Sequence, residues 1–266
     1  MIPVPIYSTR FAEKVRKGQC LARLWEPREY DLAMVVNEKM ELWKPFGADE
    51  FHFGIVASAE TRKEIRHLVN HEFRRAFAAN IFELGSTNLV KVRIEEVPGS
   101  HPVAQKPYRS SRSHEAEMDR IIGEWVEAGI VVESDSSYTS PAILVDKKDG
   151  SKRPVFDFRC LNDQTVTFPY PMPSIDDHMV ALSDAKYYTV IDLANGYLQL
   201  EIDEKSRHKT AFVTPTFKGE FVRLPYGLKN APAWFQQLMN RVLGKMKNYQ
   251  LLLLLRRHIV VCKNAG

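Results

Sequence analysis

Short apolar runs alternate with turn residues between residues 140 and 247, and this order constrains the fold more than any other feature. The segment AILVDKKDGSKRPVFDFR has two β-rich runs around the turn at 148–151, which is typical of a hairpin. KYYTVIDLANGYLQLEI predicts a strand, a turn and a strand, and TAFVTPTFKGEFVRLPYGL predicts a second hairpin. NAPAWFQQLMNRVLGKM follows as a helix with Asn230 as its cap. No internal repeat interrupts the series, so the sequence predicts an α+β fold.

The first half of the sequence has weaker patterns. Residues 1–60 predict a connector with room for a small β element. Apolar side chains recur at helical spacing from Ala57 to Phe77, which predicts an amphipathic helix with a solvated basic face. Residues 98–113 are rich in Pro and Ser and predict an extended linker, and the helix after it has its N-cap region at Ser113 and its end at Gly129. FPYPMPSIDDHMVALSDA predicts a loop leading into a further helix.

The composition is that of a globular protein, with 44% hydrophobic and 26% charged residues in a chain of 266. The net charge is only +4, but every formally charged side chain after Glu220 is Lys or Arg, which suits a polyanion or a solvated basic surface. The three cysteines, Cys20, Cys160 and Cys262, lack the spacing of a zinc site or a disulfide framework and predict reduced thiols. No apolar run approaches the roughly 18 residues of a membrane span. We therefore expect an intracellular protein that is neither membrane-bound nor secreted.

Four long motifs occur in a fixed order: SPAILVDKKDGSKRPVFDFRCLN, YPMPSIDD, AKYYTVIDLANGYLQLEID and KTAFVTPTFKGEFVRLPYGLKNAPAWFQQLMN. Their order and spacing closely resemble the fingers and palm of reverse transcriptases from gypsy-type LTR retrotransposons. Upstream, FELGSTNLVKVRIEEVPGSHPVAQKPYR resembles the lead-in to these polymerases, and KGQCLARLWEP resembles the piece that joins protease to polymerase. The resemblance is strong from Leu84 onward and weak before it.

This resemblance implies a right-hand polymerase fold of the α+β class, with fingers and a partial palm. It divides the chain into a polyprotein connector at 1–60, a helix and extended lead-in at 61–112, and the fingers and partial palm at 113–266. The implied function is RNA-directed DNA polymerase, with deoxynucleoside triphosphates and an RNA or DNA template–primer as substrates. It also implies that the thumb, RNase H and integrase of such polyproteins are missing, so a template–primer would be held by fewer phosphate contacts.

Template-directed nucleotide addition uses two divalent ions about 3.5–4 Å apart, clamped by carboxylates. By the resemblance, Asp192 is the first Mg²⁺ ligand and a catalytic residue, and the backbone carbonyl of Leu193 serves the ion on the nucleotide side. Without the family match, an aspartate at the end of a strand before Gly196 more often caps the turn. The metal role therefore depends on the resemblance.

The same resemblance assigns the nucleotide contacts. Lys147 and Arg153 match residues that bind the triphosphate, and both types of side chain stay protonated near phosphate. Alone, they read equally well as exposed charges beside a hairpin turn. Tyr197 matches the aromatic residue under the nucleotide sugar, where its ring excludes a ribose 2′-hydroxyl, whereas an unassigned tyrosine in such a strand is more often packed in the core.

Template and primer contacts are implied farther along the chain. Pro225 and Gly227 match the tight approach to the base pair, and the helix from Ala231 matches the one that lies against the template strand. Trp234 and Phe235 are expected on the core face of that helix rather than as stacking platforms. Asp157 belongs to the fingers in the family pattern and is expected to be structural.

The remaining metal ligands of the family are paired aspartates in a Tyr-x-Asp-Asp hairpin between this helix and an Ile-Val-Val strand. In this chain the place is held by the degenerate hairpin Leu254, Leu255, Arg256, Arg257 and His258. No acidic side chain follows Glu220, and arginines at the metal site would repel divalent cations. We therefore expect the chain to be catalytically inactive, and Mg²⁺ binding is a family expectation that the substitution opposes.

The genetic code offers a reason for this substitution. Leu-Leu-Arg-Arg-His can be encoded as NTA CTT AGA CGA CAT, and reading one base later gives TAC TTA GAC GAC AT, which encodes Tyr-Leu-Asp-Asp. We hypothesise that residues 254–258 are the catalytic hairpin translated out of frame, with the frame regained before Ile259; the nucleotide sequence decides this.

A rival function of another class is a non-catalytic nucleic-acid-binding or interaction protein that has kept the polymerase scaffold.

Overall fold

The computed structural model describes residues 6–11, 51–53, 59–147, 150–172, 187–243, 250–254 and 257–262. Contacts divide the chain into two compact units. Unit 1 comprises Met1–Leu89, Pro171–Gly196 and Gln236–Gly266, and unit 2 comprises Val90–Tyr170 and Tyr197–Phe235. Both units are built from non-adjacent parts of the sequence, and the sequential boundaries expected at residues 60 and 112 stay a prediction.

The chain contains both helices and strands, which confirms the mixed α and β prediction. The strands are β1 Ile6–Phe11, β2 Phe51–Phe53, β3 Thr87–Val92, β4 Val131–Glu133, β5 Ser140–Asp146, β6 Lys152–Phe156, β7 Tyr187–Leu193, β8 Leu200–Ile202, β9 Phe212–Val213, β10 Lys218–Phe221, β11 Gln250–Leu254 and β12 Arg257–Cys262. The α-helices are α1 Ala59–His67, α2 Arg112–Glu127, α3 Arg159–Gln164, α4 Glu204–Arg207 and α5 Ala231–Leu243.

Unit 1 contains a five-stranded sheet in the order β11-β12-β7-β1-β2. β7 pairs antiparallel with β12 on one side and with β1 on the other, and β2 pairs parallel with β1. β1 and β2 come from the segment that the sequence predicted as a connector, and they are the small β element expected there. Since β7 is paired on both edges, its backbone groups have ladder partners on both sides.

Unit 2 contains a five-stranded sheet in the order β4-β10-β9-β5-β6, and β3 pairs with β8 in a separate two-stranded sheet. β5 and β6 form an antiparallel hairpin, as do β9 and β10, so both predicted hairpins are confirmed. The turn of the first hairpin is closed by the backbone N–H of Lys147, which donates to the carbonyl of Ser151 over 2.7 Å. Aromatic side chains fill the core beside this sheet: Trp125, Phe156, Phe158, Phe212 and Phe221.

The cap of α2 differs from the prediction. Its N-cap is Ser111 and not Ser113, because Ser111 has the extended backbone that an N-cap needs and its Oγ accepts a hydrogen bond from the His114 N–H at 3.4 Å. Ser113 already lies inside the first turn. The predicted end is confirmed, since Gly129 follows the helix with a φ of +67°.

The helix predicted from Ala57 to Phe77 is shorter than expected. α1 ends at His67 and continues as one π-helical turn, Leu68–Glu72, which closes with a hydrogen bond of 2.8 Å from the Phe73 N–H to the Leu68 carbonyl. The α-helical periodicity that predicted which side chains face solvent does not hold beyond His67. The expectation of a fully solvated basic face is therefore wrong for Arg74, which is 7% exposed and forms an ion pair with Glu83 at 3.3 Å.

The predicted helix after Asn230 is confirmed as α5, but the side chain of Asn230 does not act as the expected cap. Its Oδ1 accepts from the Phe168 N–H at 3.1 Å, and its Nδ2 donates to the Val166 carbonyl at 2.8 Å.

The helix predicted within 173–186 lies outside the described residues. Among the described residues, no helix is both long and apolar enough to cross a bilayer. Cys160 is an exposed free thiol, and the side chains of the other two cysteines lie outside the described part.

Candidate functional site

Asp192 lies near the end of β7, where the strand pairing fixes its neighbours. Arg257 of β12 is directly opposite Asp192 on one side, and Tyr7 of β1 is opposite it on the other. Leu254 of β11 is opposite Arg257 in turn, so a row across the sheet reads Leu254, Arg257, Asp192, Tyr7. The fold thus brings the degenerate hairpin to the predicted metal ligand.

The other members of the predicted hairpin follow from the same register. His258 is opposite Ile191, and Leu193 is opposite Ile6 of β1. Leu255 and Arg256, between the two strands, lie outside the described residues. The register therefore places Arg257, and not a carboxylate, at the position that faces Asp192.

The predicted turn after Asp192 is confirmed, and it leads to Tyr197. Asn195 has a φ of +41°, a left-handed conformation that asparagine tolerates better than most residues, and a short 3-10 helix, Gly196–Gln199, follows. Tyr197 is 7% exposed, and its ring centroid lies 5.1 Å from that of Tyr226 and 5.3 Å from that of Phe235. This packing matches the core alternative, and the contact with a nucleotide sugar stays a prediction.

The structure describes three basic side chains of the β5–β6 hairpin, and their surroundings differ. Lys152 is tied to Asp146 by an ion pair and lies 3.2 Å from the His114 ring. Lys147 and Arg153 are both exposed, and neither has an ion-pair partner among the described residues. Two cations on this hairpin are therefore available to an external anion, as the nucleotide-binding prediction requires.

Asp157, at the end of the same hairpin, accepts four hydrogen bonds, one of them from the backbone N–H of Arg159 at 3.2 Å. The guanidinium of Arg159 donates to it twice, from Nε at 2.8 Å and from Nη2 at 2.7 Å, and the hydroxyl of Tyr108 donates at 2.8 Å. The hydrogen bonds from Arg159 hold the pKa of the Asp157 carboxyl well below its usual range. Tyr108 belongs to the predicted linker, so this carboxylate anchors the linker to the hairpin, which supports a structural role.

The low pKa of Asp157 makes a prediction for acid stability. A carboxyl whose pKa is lowered by folding adds stability above its unfolded pKa of about 3.9, and the contribution is lost progressively as pH falls below that value. We expect Asp157→Asn to lower the urea midpoint at pH 7 and to leave a shallower fall of that midpoint between about pH 4 and pH 2. Asp163→Asn, at an exposed position on α3, is the control. An equal fall with pH in parent and Asp157→Asn would contradict this assignment.

The residues predicted to contact template and primer lie close together in the sequence of unit 2, with Pro225 and Gly227 in a loop and Ala231 at the start of α5. Gly227 is exposed with a φ of +98°, whereas Pro225 and Ala231 are buried. Asn162 of α3 fixes the loop, because its Nδ2 donates to the Gly227 carbonyl at 2.8 Å and its Oδ1 accepts from the Lys229 N–H at 2.7 Å. Sequence reasoning missed Asn162, and no local pattern could have found a contact between residues so far apart in the chain.

The two aromatic residues of α5 differ from each other. Phe235 is 2% exposed and lies in the core, as expected. Trp234 is half-buried and stacks on Phe168, with ring centroids 4.2 Å apart and planes 9° from parallel. Its face is therefore covered by another side chain of this protein.

The family was identified by comparison with known proteins. Residues 145–261 match the model of the family described as reverse transcriptase (RNA-dependent DNA polymerase). These residues belong to the reverse transcriptase family. The matched segment includes the β5–β6 hairpin, Asp192 and the degenerate hairpin.

Proteins similar to this chain are found among retrotransposons. The Retrovirus-related Pol polyprotein from transposon 297 of Drosophila melanogaster is 35% identical over 219 residues, which is 80% of this chain and 20% of that polyprotein. The corresponding protein from transposon gypsy of the same organism is 34% identical over 195 residues, 71% of this chain and 19% of its own length. The Transposon Tf2-3 polyprotein of Schizosaccharomyces pombe is 32% identical over 130 residues, 49% of this chain and 10% of its own length. The chain thus corresponds to the reverse transcriptase region of a gypsy-type Pol polyprotein and spans about a fifth of the Drosophila relatives it matches.

Reverse transcriptases use divalent metal ions, but the row around Asp192 does not fit one. Mg²⁺ takes oxygen ligands and is usually bound through one or two carboxylates together with substrate phosphates. The row Leu254, Arg257, Asp192, Tyr7 includes one residue with a carboxylate, and the residue opposite it in β12 is an arginine, a type that stays protonated. Within the part of the chain that the structure describes, no group of three or more His, Cys, Asp or Glu side chains could hold a metal ion.

This reverse transcriptase region also has a groove that the sequence did not reveal. It has a volume of about 480 Å³ and is lined by the N-terminal half of α2, residues 142–144 of β5 and the segments 108–111 and 214–216. Residues that line it include Tyr108, Arg109, His114, Ile143, Leu144 and Thr216. Tyr108 is 40% exposed and Ile143 is 41% exposed. Apolar surface is therefore open to solvent in a groove that Arg109 also lines. The only local signal is the run YRSSRS, at the end of the segment predicted as an extended linker.

Proposed function

We propose that this chain is the fingers and partial palm of an RNA-directed DNA polymerase whose metal site has been lost. One observation carries the proposal: β12 places Arg257 opposite Asp192, where the family has carboxylates. Catalysis by two metal ions needs anionic ligands on both sides of the site. The chain therefore keeps the scaffold of the polymerase and does not extend a primer.

Unit 2 supports the binding half of this proposal. The hairpin presents Lys147 and Arg153 to solvent, and the groove places the exposed ring of Tyr108 beside Arg109. Basic side chains bind phosphates, and aromatic rings stack on bases without regard to sequence. We propose that a template–primer binds here, in a cytoplasmic particle or the nucleus, and that Lys147 and Arg153 would contact the triphosphate of a deoxynucleotide.

The rival function, a non-catalytic nucleic-acid-binding or interaction protein, shares this scaffold. The rival differs from our proposal in the property that natural selection has preserved. Under the rival, binding would be the function, and Arg257 would be a functional residue. Under our proposal, binding is what remains of a polymerase.

Primer extension and binding assays on the full chain test the proposed function. We expect no extended product with Mg²⁺ or Mn²⁺, but salt-sensitive binding of a labelled template–primer in fluorescence anisotropy. With a labelled deoxynucleoside triphosphate as the ligand, Lys147→Ala or Arg153→Ala should each weaken binding and its salt dependence, because one phosphate contact is lost. Lys152→Ala is the matched control, since its side chain is held by Asp146.

The possible results separate the two functions. Extension by the unmodified chain would disprove the loss of activity. Binding that does not respond to salt, or that Lys147→Ala and Lys152→Ala weaken equally, would contradict the assigned triphosphate and template contacts. Tight binding to one nucleic-acid sequence without extension would favour the rival.

A further inference from the structure

The row of residues across the sheet of unit 1 raises a question of charge balance. Asp192 has Arg257 directly opposite in β12 and Tyr7 directly opposite in β1. At neutral pH this row carries one negative and one positive charge. The register therefore sets two residues of opposite formal charge opposite one another.

Directly opposite residues of antiparallel strands have Cβ atoms about 4.5–5.5 Å apart, whichever kind of pair they form. Opposite charges at such positions stabilise the sheet, and like charges destabilise it. Two facing carboxylates would therefore need a bound cation. An aspartate that faces an arginine does not, because guanidinium stays protonated and its fork of N–H groups matches a carboxylate.

We propose that Arg257 pairs with Asp192 across the strands and has replaced the divalent ion as the counter-charge of this carboxylate. The sheet of unit 1 is then stable without metal. This inference rests on the proposed function only in treating Asp192 as the carboxylate of a former metal site. The pairing itself requires only the register and the two charges.

Thermal unfolding of the full chain tests this proposal. The parent should melt at the same temperature in EDTA and in about 10 mM MgCl₂ or MnCl₂, a concentration on the order of what a weak Mg²⁺ site needs. Arg257→Asp should melt about 1–4 °C lower in EDTA and regain that loss with Mn²⁺, because the two facing carboxylates then need a cation. His258→Asp is the matched control: it adds an acid one position along β12, opposite Ile191, and should show no recovery with metal.

Charge reversal gives a second measurement that does not depend on metal binding. Asp192→Arg alone and Arg257→Asp alone each place like charges opposite one another, and the double variant restores opposite charges in reversed order. We expect the double variant to melt above both single variants. If Arg257→Asp does not fold, the cycle of Asp192→Asn and Arg257→Gln, which removes charge with little change in shape, measures the same coupling.

The proposal is overturned if Mg²⁺ or Mn²⁺ raises the melting temperature of the parent as it does for Arg257→Asp. It is also overturned if the reversed pair melts no higher than the single variants, or if the neutral cycle shows no coupling. These melts are independent of primer extension. An active parent would therefore contradict the proposed function and leave the pairing to be decided by the melts.

Discussion

Restoring the catalytic hairpin with Leu254→Tyr, Arg256→Asp and Arg257→Asp is expected to produce Mg²⁺-dependent primer extension. The gain over the parent should be at least about 1,000-fold, since metal ions at the reacting oxygens supply several kcal/mol and each 1.36 kcal/mol is a factor of ten. The register supports the design, because residue 257 faces Asp192 across the strands. Single-turnover extension at saturating template–primer is the measurement, so that weak binding does not hide the chemistry.

The control for this restoration is the same triple variant with Asp192→Asn. It should lose the gain, because the only carboxylate contributed by β7 at this row is then neutral. A restored chain that binds template–primer but does not extend it would show that the hairpin is not the sole lesion. Activity that survives Asp192→Asn would show that Asp192 is not a metal ligand.

Gly219→Ala is expected to destabilise unit 2 by about 1–3 kcal/mol, the range for adding a methylene-sized group to a packed site. Gly219 is buried in β10 and pairs with Glu133 of β4 on one side and Phe212 of β9 on the other. A Cβ at this position would lie 2.5 Å from the Phe217 ring and 2.9 Å from the Val132 carbonyl oxygen. The ring can rotate away, but the backbone oxygen in the ladder cannot move without breaking the pairing. Urea unfolding at neutral pH measures the loss.

Gly123→Ala provides a matched control of opposite sign. Gly123 is exposed in the middle of α2, and a Cβ there would meet nothing within 4 Å. Alanine loses less backbone entropy than glycine in a helix, so this change should stabilise the chain by about 0.5–1 kcal/mol. Equal effects of the two substitutions would contradict the packing around Gly219.

Local sequence signals predicted the local structure well. The β5–β6 hairpin, the β9–β10 hairpin and α5 follow from turn residues and apolar spacing within fewer than 20 residues, because such elements are decided mainly by neighbours along the chain. The caps were predicted less well. Ser111 and Ser113 are equally good capping residues, and only the backbone conformation at Ser111 selects it.

Polar side chains whose partners are distant in sequence could not be assigned in advance. Arg74 looked like part of a solvated helix face, yet it is buried against Glu83 once the helix ends. Asn230 looked like a helix cap, yet its amide holds the segment at Val166 and Phe168. In each case a hydrogen bond made after folding outweighed a local preference of less than about 2 kcal/mol.

The sequence alone determined the family, the order of its motifs and the absence of acidic residues after Glu220, because these are properties of residue identity. It also placed residues 254–258 where the resemblance predicts the Tyr-x-Asp-Asp hairpin. Only the tertiary structure decided that Arg257 of β12 faces Asp192 of β7 and that β1 pairs with the other edge of that strand. Strand register is set by pairing between segments far apart in the chain, and no local pattern specifies which residue of one strand will stand opposite which residue of another.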